Sequence, residues 1–144
     1  MDTNFARWDS VVRYAECDAQ GVVFNAHYLT YFDCTVNEAF RNTGVDWLQQ
    51  MQSSGCDVQL VKSVVEYHKP LRFDEAFFGQ ASVARLGRSS VTWQLHIFGD
   101  STADLRASGE IVWVYANLKE QRSEPLPDWM RKALAPLCLE PETD

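Results

Sequence analysis

The chain has 144 residues, 46% of them hydrophobic and 12% aromatic, with a net charge of −7. That is one domain's length with apolar surface enough for a core, roughly 70% of the unfolded surface being buried at this size, and it excludes intrinsic disorder. The negative balance disfavours nucleic acid or an anionic membrane as the main partner, since both are polyanions, but leaves room for one local basic patch.

In chain order, residues 5–15 read as a first strand. The next stretch is Y-A-E-C-D-A-Q-G-V-V-F-N-A-H-Y-L, from Tyr14 to Leu29. It places Asp18 three residues before Gly21, just ahead of a helix expected over 26–43. There Leu29, Phe32, Val36 and Phe40 recur at spacings of 3 and 4, with His27, Thr30, Asn37 and Arg41 on the polar side. Tyr28, Tyr31 and Ala39 widen the apolar stripe, so the helix is expected to be buried on most sides. Gly44 stands where a C′ glycine ends a helix. Residues 45–56 are ambiguous, one or two helical turns closed by Ser53, Ser54 and Gly55.

Strands then dominate, over 57–67, 76–86 and two alternating runs. In these Val91, Trp93, Leu95 and Ile97, then Ile111, Trp113 and Tyr115, take every second place. Short turns between them mean antiparallel pairing. L-P-D-W-M-R-K-A-L suggests a short helix with Pro127 at its first position. The expected organisation is one domain over 1–136 and an acidic tail over 137–144. A single apolar helix and a run of strands give an α+β fold, a curved antiparallel sheet of five or six strands wrapped around the helix. Such a sheet leaves an edge and a face open, which an oligomer covers.

Most chemistry is weakly signalled. No G-x-S-x-G elbow occurs, and Gly99-Asp100-Ser101 reads as a hairpin turn between alternating strands. His27, His68 and His96 share no ligand spacing, and Cys17, Cys34, Cys56 and Cys138 form no C-x-x-C pair, so no metal site is expected and the thiols are expected to be free. No phosphate loop or dinucleotide fingerprint is present. No apolar run approaches the ~20 residues of a bilayer span, and the start, M-D-T-N-F-A-R-W-D, lacks a signal core. A cytoplasmic location is the expectation. Asp18 remains: on physics alone it is a turn or cap residue, or a carboxylate aimed at a substrate lying along the helix N-terminus.

The stretch resembles the signature of the 4-hydroxybenzoyl-CoA and acyl-CoA thioesterase branch of the hotdog superfamily. Tyr14, Asp18, Gly21, Val22, Val23, Phe24, Asn25 and Tyr28 carry the match. E-Y-H-K-P-L-R-F-D-E-A-F, L-G-R-S-S-V and L-P-D-W fit more weakly, and the likeness extends over about residues 8–134. It implies the hotdog fold, a homodimer or in some relatives a homotetramer, and hydrolysis of an acyl-CoA. Coenzyme A would be part of the substrate, with no separate cofactor. Asp18 would be nucleophile or general base, with Tyr14 and Asn25 beside it. A backbone N–H near Asn25 would polarise the thioester carbonyl. Gly21, Val23 and Tyr28 would shape the substrate site. One subgroup of the family carries His at the position of Asn25, so a His-assisted mechanism is not implied here, and a dehydratase is disfavoured for the same reason. The alternatives are a non-catalytic acyl-thioester binding protein and a thioesterase for acyl-carrier proteins. The nucleotide end of CoA should seek local positive charge. Arg85 and Arg88 with Ser89 and Ser90 are the first candidates, and Lys69 and Arg72 the second.

Overall fold

In the computed structural model, which describes residues 5–139, the alternating runs form one antiparallel sheet. Its strands are β1 (Ala6–Val11), β2 (Cys56–Tyr67), β3 (Ala76–Leu86), β4 (Ser90–Phe98), β5 (Leu105–Asn117) and the two-residue β6 (Arg122–Ser123). They lie in the order β1-β3-β4-β5-β2, with β6 on the end of β5. The first strand is shorter than its sequence pattern. It ends at Val11, and Tyr14–Glu16 form a 3-10 turn whose Glu16 carboxylate accepts the Arg13 backbone N–H at 2.8 Å.

One face of the sheet makes the core. Val91, Trp93, Leu95 and Ile97 of β4 are fully buried, while Thr92, Gln94 and His96 alternate onto the outer face. Against the inner face lies α1 (His27–Thr43), ended by Gly44 at φ 74°. Its buried residues are Tyr28, Tyr31, Phe32, Thr35, Val36, Ala39 and Phe40, and Leu29 is only half-buried. The stripe is therefore rotated from the one the apolar spacing suggests. Thr35 accounts for this: its hydroxyl donates to the Tyr31 carbonyl at 2.7 Å, so it can be buried without an orphan polar group. The sheet accommodates the helix with glycines. A Cβ on Gly79 would meet Thr35 Oγ1 at 2.2 Å, and one on Gly109 would meet Phe32 at 2.4 Å.

The ambiguous segment becomes α2 (Trp47–Ser54), capped by Asp46, which accepts the Gln49 N–H at 3.1 Å. The last helix, α3 (Asp128–Leu134), has Pro127 at its N-cap rather than its first position. Beyond it Cys138 bridges to Val83, and the Leu139 N–H donates to the Val83 carbonyl at 2.9 Å. Residues 137–139, at the start of the expected tail, thus run beside β3. The rest of that tail, 140–144, lies outside the described residues. The cysteines form no disulfide with one another among the described residues. Among the described residues no helix is long and apolar enough to cross a membrane.

The sheet has two free edges. β1 is six residues long and carries the Arg7–Asp9 ion pair, features that blunt an edge. β2 is twelve residues long, bulges between Leu60 and Lys62, and leaves Leu60 and Val61 each 58% exposed.

Candidate active site

Residues 16–24 form a small hairpin leading into α1. The Phe24 N–H donates to the Glu16 carbonyl at 2.9 Å, Cys17 and Val23 bridge, and the Asp18 N–H donates to the Val22 carbonyl at 2.9 Å. The Gly21 N–H closes the turn onto the Asp18 carbonyl at 3.0 Å, with Gly21 at φ +79°, where a Cβ is strained. Asp18 is exposed at this turn. One of its carboxylate oxygens accepts the Gln20 N–H at 2.8 Å, and the other has no partner among the described residues.

The hairpin delivers the chain into α1 without a side-chain cap. Ala26 is the N-cap, and the Asn25 side chain makes no capping bond. The backbone N–H groups of Asn25 and Ala26 have no backbone acceptor among the described residues, so they and the positive end of the helix dipole face outward. Two tyrosines pin this helix start. The Tyr67 hydroxyl donates to the Asn25 carbonyl at 3.0 Å, and the Tyr28 hydroxyl accepts the Leu71 N–H at 3.2 Å.

The loop between β2 and β3 supports the hairpin from behind. The Val23 N–H donates to the Leu71 carbonyl at 2.9 Å, the Phe73 N–H to the Gly21 carbonyl at 3.3 Å, and Val22 bridges to Arg72. That loop is itself held by Arg106, whose side chain is 5% exposed. Its guanidinium donates to the Pro70 carbonyl at 2.9 Å, to Glu75 at 3.0 Å and to Asp104 at 2.9 Å. Glu75 also accepts the Arg72 N–H at 3.0 Å. The hydrogen bonds from Arg106 hold the Asp104 carboxyl down at about 2 and keep Glu75 below its ordinary value. Sequence reasoning singled out none of Tyr67, Glu75, Asp104 and Arg106 individually. The available signal was a lone Arg opening the apolar alternation of β5.

The residues expected at the site fall into two groups. Tyr14 is 80% exposed, its ring edge-on to Phe73 at 5.8 Å. With Asp18, Gly21 and Asn25 it belongs to the hairpin or its flanks, and Val23 and Tyr28 are buried directly behind it. Arg85, Arg88, Ser89 and Ser90 lie around the β3–β4 turn. β3 starts beside the hairpin, where the Val12 N–H donates to the Glu75 carbonyl at 2.9 Å. Its eleven residues then span ~35 Å. Within one chain the structure does not bring the arginine pair to Asp18. Of the second patch, Lys69 pairs with Asp104 at 3.8 Å, and Arg72 is exposed in the supporting loop.

Of the concavities among the described residues, two lie on opposite faces of the sheet. A polar groove of about 250 Å³, lined among others by Gln94, His96, Ser108 and Glu110, lies on the outer sheet face, away from α1. An apolar cavity of about 230 Å³ lies along α1, walled by Asp33, Val36, Asn37, Phe40, Trp47 and Trp113. No group of three or more metal-ligating side chains occurs among the described residues.

The sequence matches the model of the thioesterase-like superfamily over residues 12–134. A proposed esterase of Aquifex aeolicus is 31% identical over 97 residues, 67% of this chain and 75% of the relative. The acyl-CoA thioester hydrolase YbgC of Escherichia coli O6:H1 is 27% identical over 128 residues, 88% of this chain and 93% of the relative. The fold is similar to the crystal structure of a 1,4-dihydroxy-2-naphthoyl-CoA thioesterase from Synechocystis. The TM-score is 0.83 at 19% identity, over 90% of this chain and 95% of that one.

Proposed function

The chain belongs to the thioesterase-like superfamily and has its hotdog fold, and from that premise we propose that it hydrolyses a fatty or aromatic acyl-CoA to the free acid and CoA, with Asp18 as nucleophile or general base. The observation that carries this reading is the hairpin itself. It presents a carboxylate oxygen and, on its other arm, the N–H groups of Asn25 and Ala26, none of which has a partner among the described residues. A thioester whose carbonyl oxygen faces those N–H groups develops negative charge where fixed dipoles already point.

Two routes use these parts. As base, Asp18 takes a proton from water while the water oxygen bonds to the carbonyl carbon and the C–S bond breaks, the thiolate leaving to be protonated. As nucleophile, the Asp18 oxygen bonds to the carbonyl carbon and expels the thiolate, and water then cleaves the anhydride. Both sum to acyl-CoA plus water giving acid plus CoA. Tyr14, exposed in the 3-10 turn ahead of the hairpin, would bound the reacting group. That the described cysteines form no disulfide with one another is compatible with a reducing compartment, and we assign the activity to the cytoplasm.

The working unit of this reading is a homodimer joined along β2. That edge is the longer and more apolar of the two free ones. Antiparallel pairing of β2 with its copy sets the Tyr67 end of one strand against the Cys56 end of the other. The Cys56 end lies by Asn117, near the Ser90–Val114 pair that begins β4. The partner's Arg85 and Arg88 would then lie on the Asp18 side, within reach of the nucleotide of a CoA whose thioester is at the hairpin.

The test is a thiol-release assay over a panel of acyl-CoA and acyl-carrier-protein thioesters. Turnover of at least one CoA ester is expected. Turnover confined to carrier-protein esters would move the substrate class, and binding without any turnover would make the protein a carrier of acyl thioesters.

A further inference from the structure

We propose that the cavity along α1 is the far end of the acyl pocket and that it takes an acyl group ending in an ammonium cation, seated between Asp33 and the rings of Phe40, Trp47 and Trp113. This rests on the thioesterase reading, since it needs the thioester at the helix start.

The path is set by the helix. Ala26, Asp33, Val36, Asn37 and Phe40 follow one another at spacings that keep them on one face. Asp33 lies seven residues past Ala26, two turns or ~10 Å along the axis. A chain whose carbonyl meets the free N–H groups of Asn25 and Ala26 therefore reaches Asp33 and the cavity beyond by running straight down that face. The cavity holds about 230 Å³, room for a small head group.

Its walls are chemically specific. Phe40 lies 5.6 Å from Trp47 and 6.1 Å from Trp113, the latter nearly parallel at 11°. The three rings pack on one another and form one wall of the cavity, with the Asp33 carboxylate at its mouth. Among the described residues Asp33 has no hydrogen-bond or ion-pair partner, and no Lys or Arg lines the cavity. Arg41, on the same helix, is turned to Glu38 at 4.0 Å. Although Asp33 is still exposed at the mouth, the apolar surroundings alone raise its pKa. A plain hydrocarbon chain would strip the remaining water from that carboxylate and leave it unpaired, an unfavourable end state. An ammonium group would pair with it and lie against the part-exposed rings of Trp47 and Trp113, a cation–π contact on that wall.

The test uses two acyl-CoAs of equal length, one ending in trimethylammonium and the other in its neutral tert-butyl isostere. The wild type should favour the cation in kcat/KM by about tenfold or more, and Asp33→Asn should bring the two within about twofold. Binding is read separately, as quenching of tryptophan fluorescence by the free trimethylammonio acid, expected in the wild type and lost in Asp33→Asn. Turnover of both esters without discrimination, or a preference that survives in Asp33→Asn, overturns the pocket assignment. A preference for the neutral isostere also overturns it, and would mean that Asp33 answers another cation, such as a side chain of a second copy. Quenching without turnover of either ester supports the pocket and rejects the hydrolase.

Discussion

Replacing Arg106 with Met tests whether a buried cation holds the site together. Methionine keeps most of the aliphatic stem but removes every donor to Pro70, Glu75 and Asp104. Removing one partner of a buried ion pair typically costs about 3–5 kcal/mol. Here Glu75 and Asp104 keep 29% and 25% side-chain exposure, so the stranded carboxylates regain some water and the expected loss is about 2–4 kcal/mol. For a domain of this size that is a fall in Tm of about 6–12 °C. The sign of the pH dependence follows from the direction of the shifts. Asp104, at about 2, and Glu75 are both depressed in the folded state. Their contribution is present above the unfolded carboxylate values near ~4 and lost as pH falls through the folded ones. The gap between wild type and Arg106→Met should therefore be full near neutrality and close between about pH 4 and pH 2. Because Arg106 holds the loop that carries Leu71 and Arg72 against the hairpin, kcat should fall more than KM rises. Thermal melts across pH and steady-state kinetics read both effects. A variant melting within about 2 °C of wild type at neutral pH, or one with an undiminished gap in acid, would mean that Arg106 does not hold the loop.

Replacing Arg85 and Arg88 together with Ala should raise KM for acyl-CoA several-fold to tens-fold, about 1–2 kcal/mol, with kcat little changed and the effect fading with salt. A short acyl thioester lacking the nucleotide should be nearly unaffected, and an equal loss on it would remove the pair from CoA binding. Light scattering at micromolar concentration should give about twice the 16.5 kDa chain mass. Val61→Lys on the β2 edge should shift the protein toward monomer and lower activity in step with dimer content, whereas a fully active monomer would sever the site from the interface.

The fold was legible because its main signals are local. The alternation in β4 and β5 and the apolar run of α1 each name an element, and one helix with several strands leaves little choice of architecture. What escaped was set by tertiary contact. Thr35 is buried because Gly79 leaves room for it, which no periodicity announces. The strand pattern through residue 15 breaks at Val11 because Glu16 folds back on Arg13. At the site, Asp18 and Gly21 could be singled out from their spacing and their resemblance to a family signature. Arg106 lies 88 positions further along the chain from Asp18, and its partners Glu75 and Asp104 are polar residues in turn-like stretches that read as solvated. The separation of Arg85 from Asp18 was equally hidden, since it follows from the direction of β3 and not from any motif.

If the Asp18 carboxylate performs the chemistry, as we propose, Asp18→Asn should all but abolish it. Asparagine keeps the oxygen that accepts the Gln20 N–H, so the hairpin should survive while the base or nucleophile is lost. With the best acyl-CoA found in the panel, kcat should fall by about two to four orders of magnitude, with Kd for a non-hydrolysable thioether analogue unchanged. A kcat within about twofold of wild type would contradict the account and move the catalytic carboxylate elsewhere in the fold.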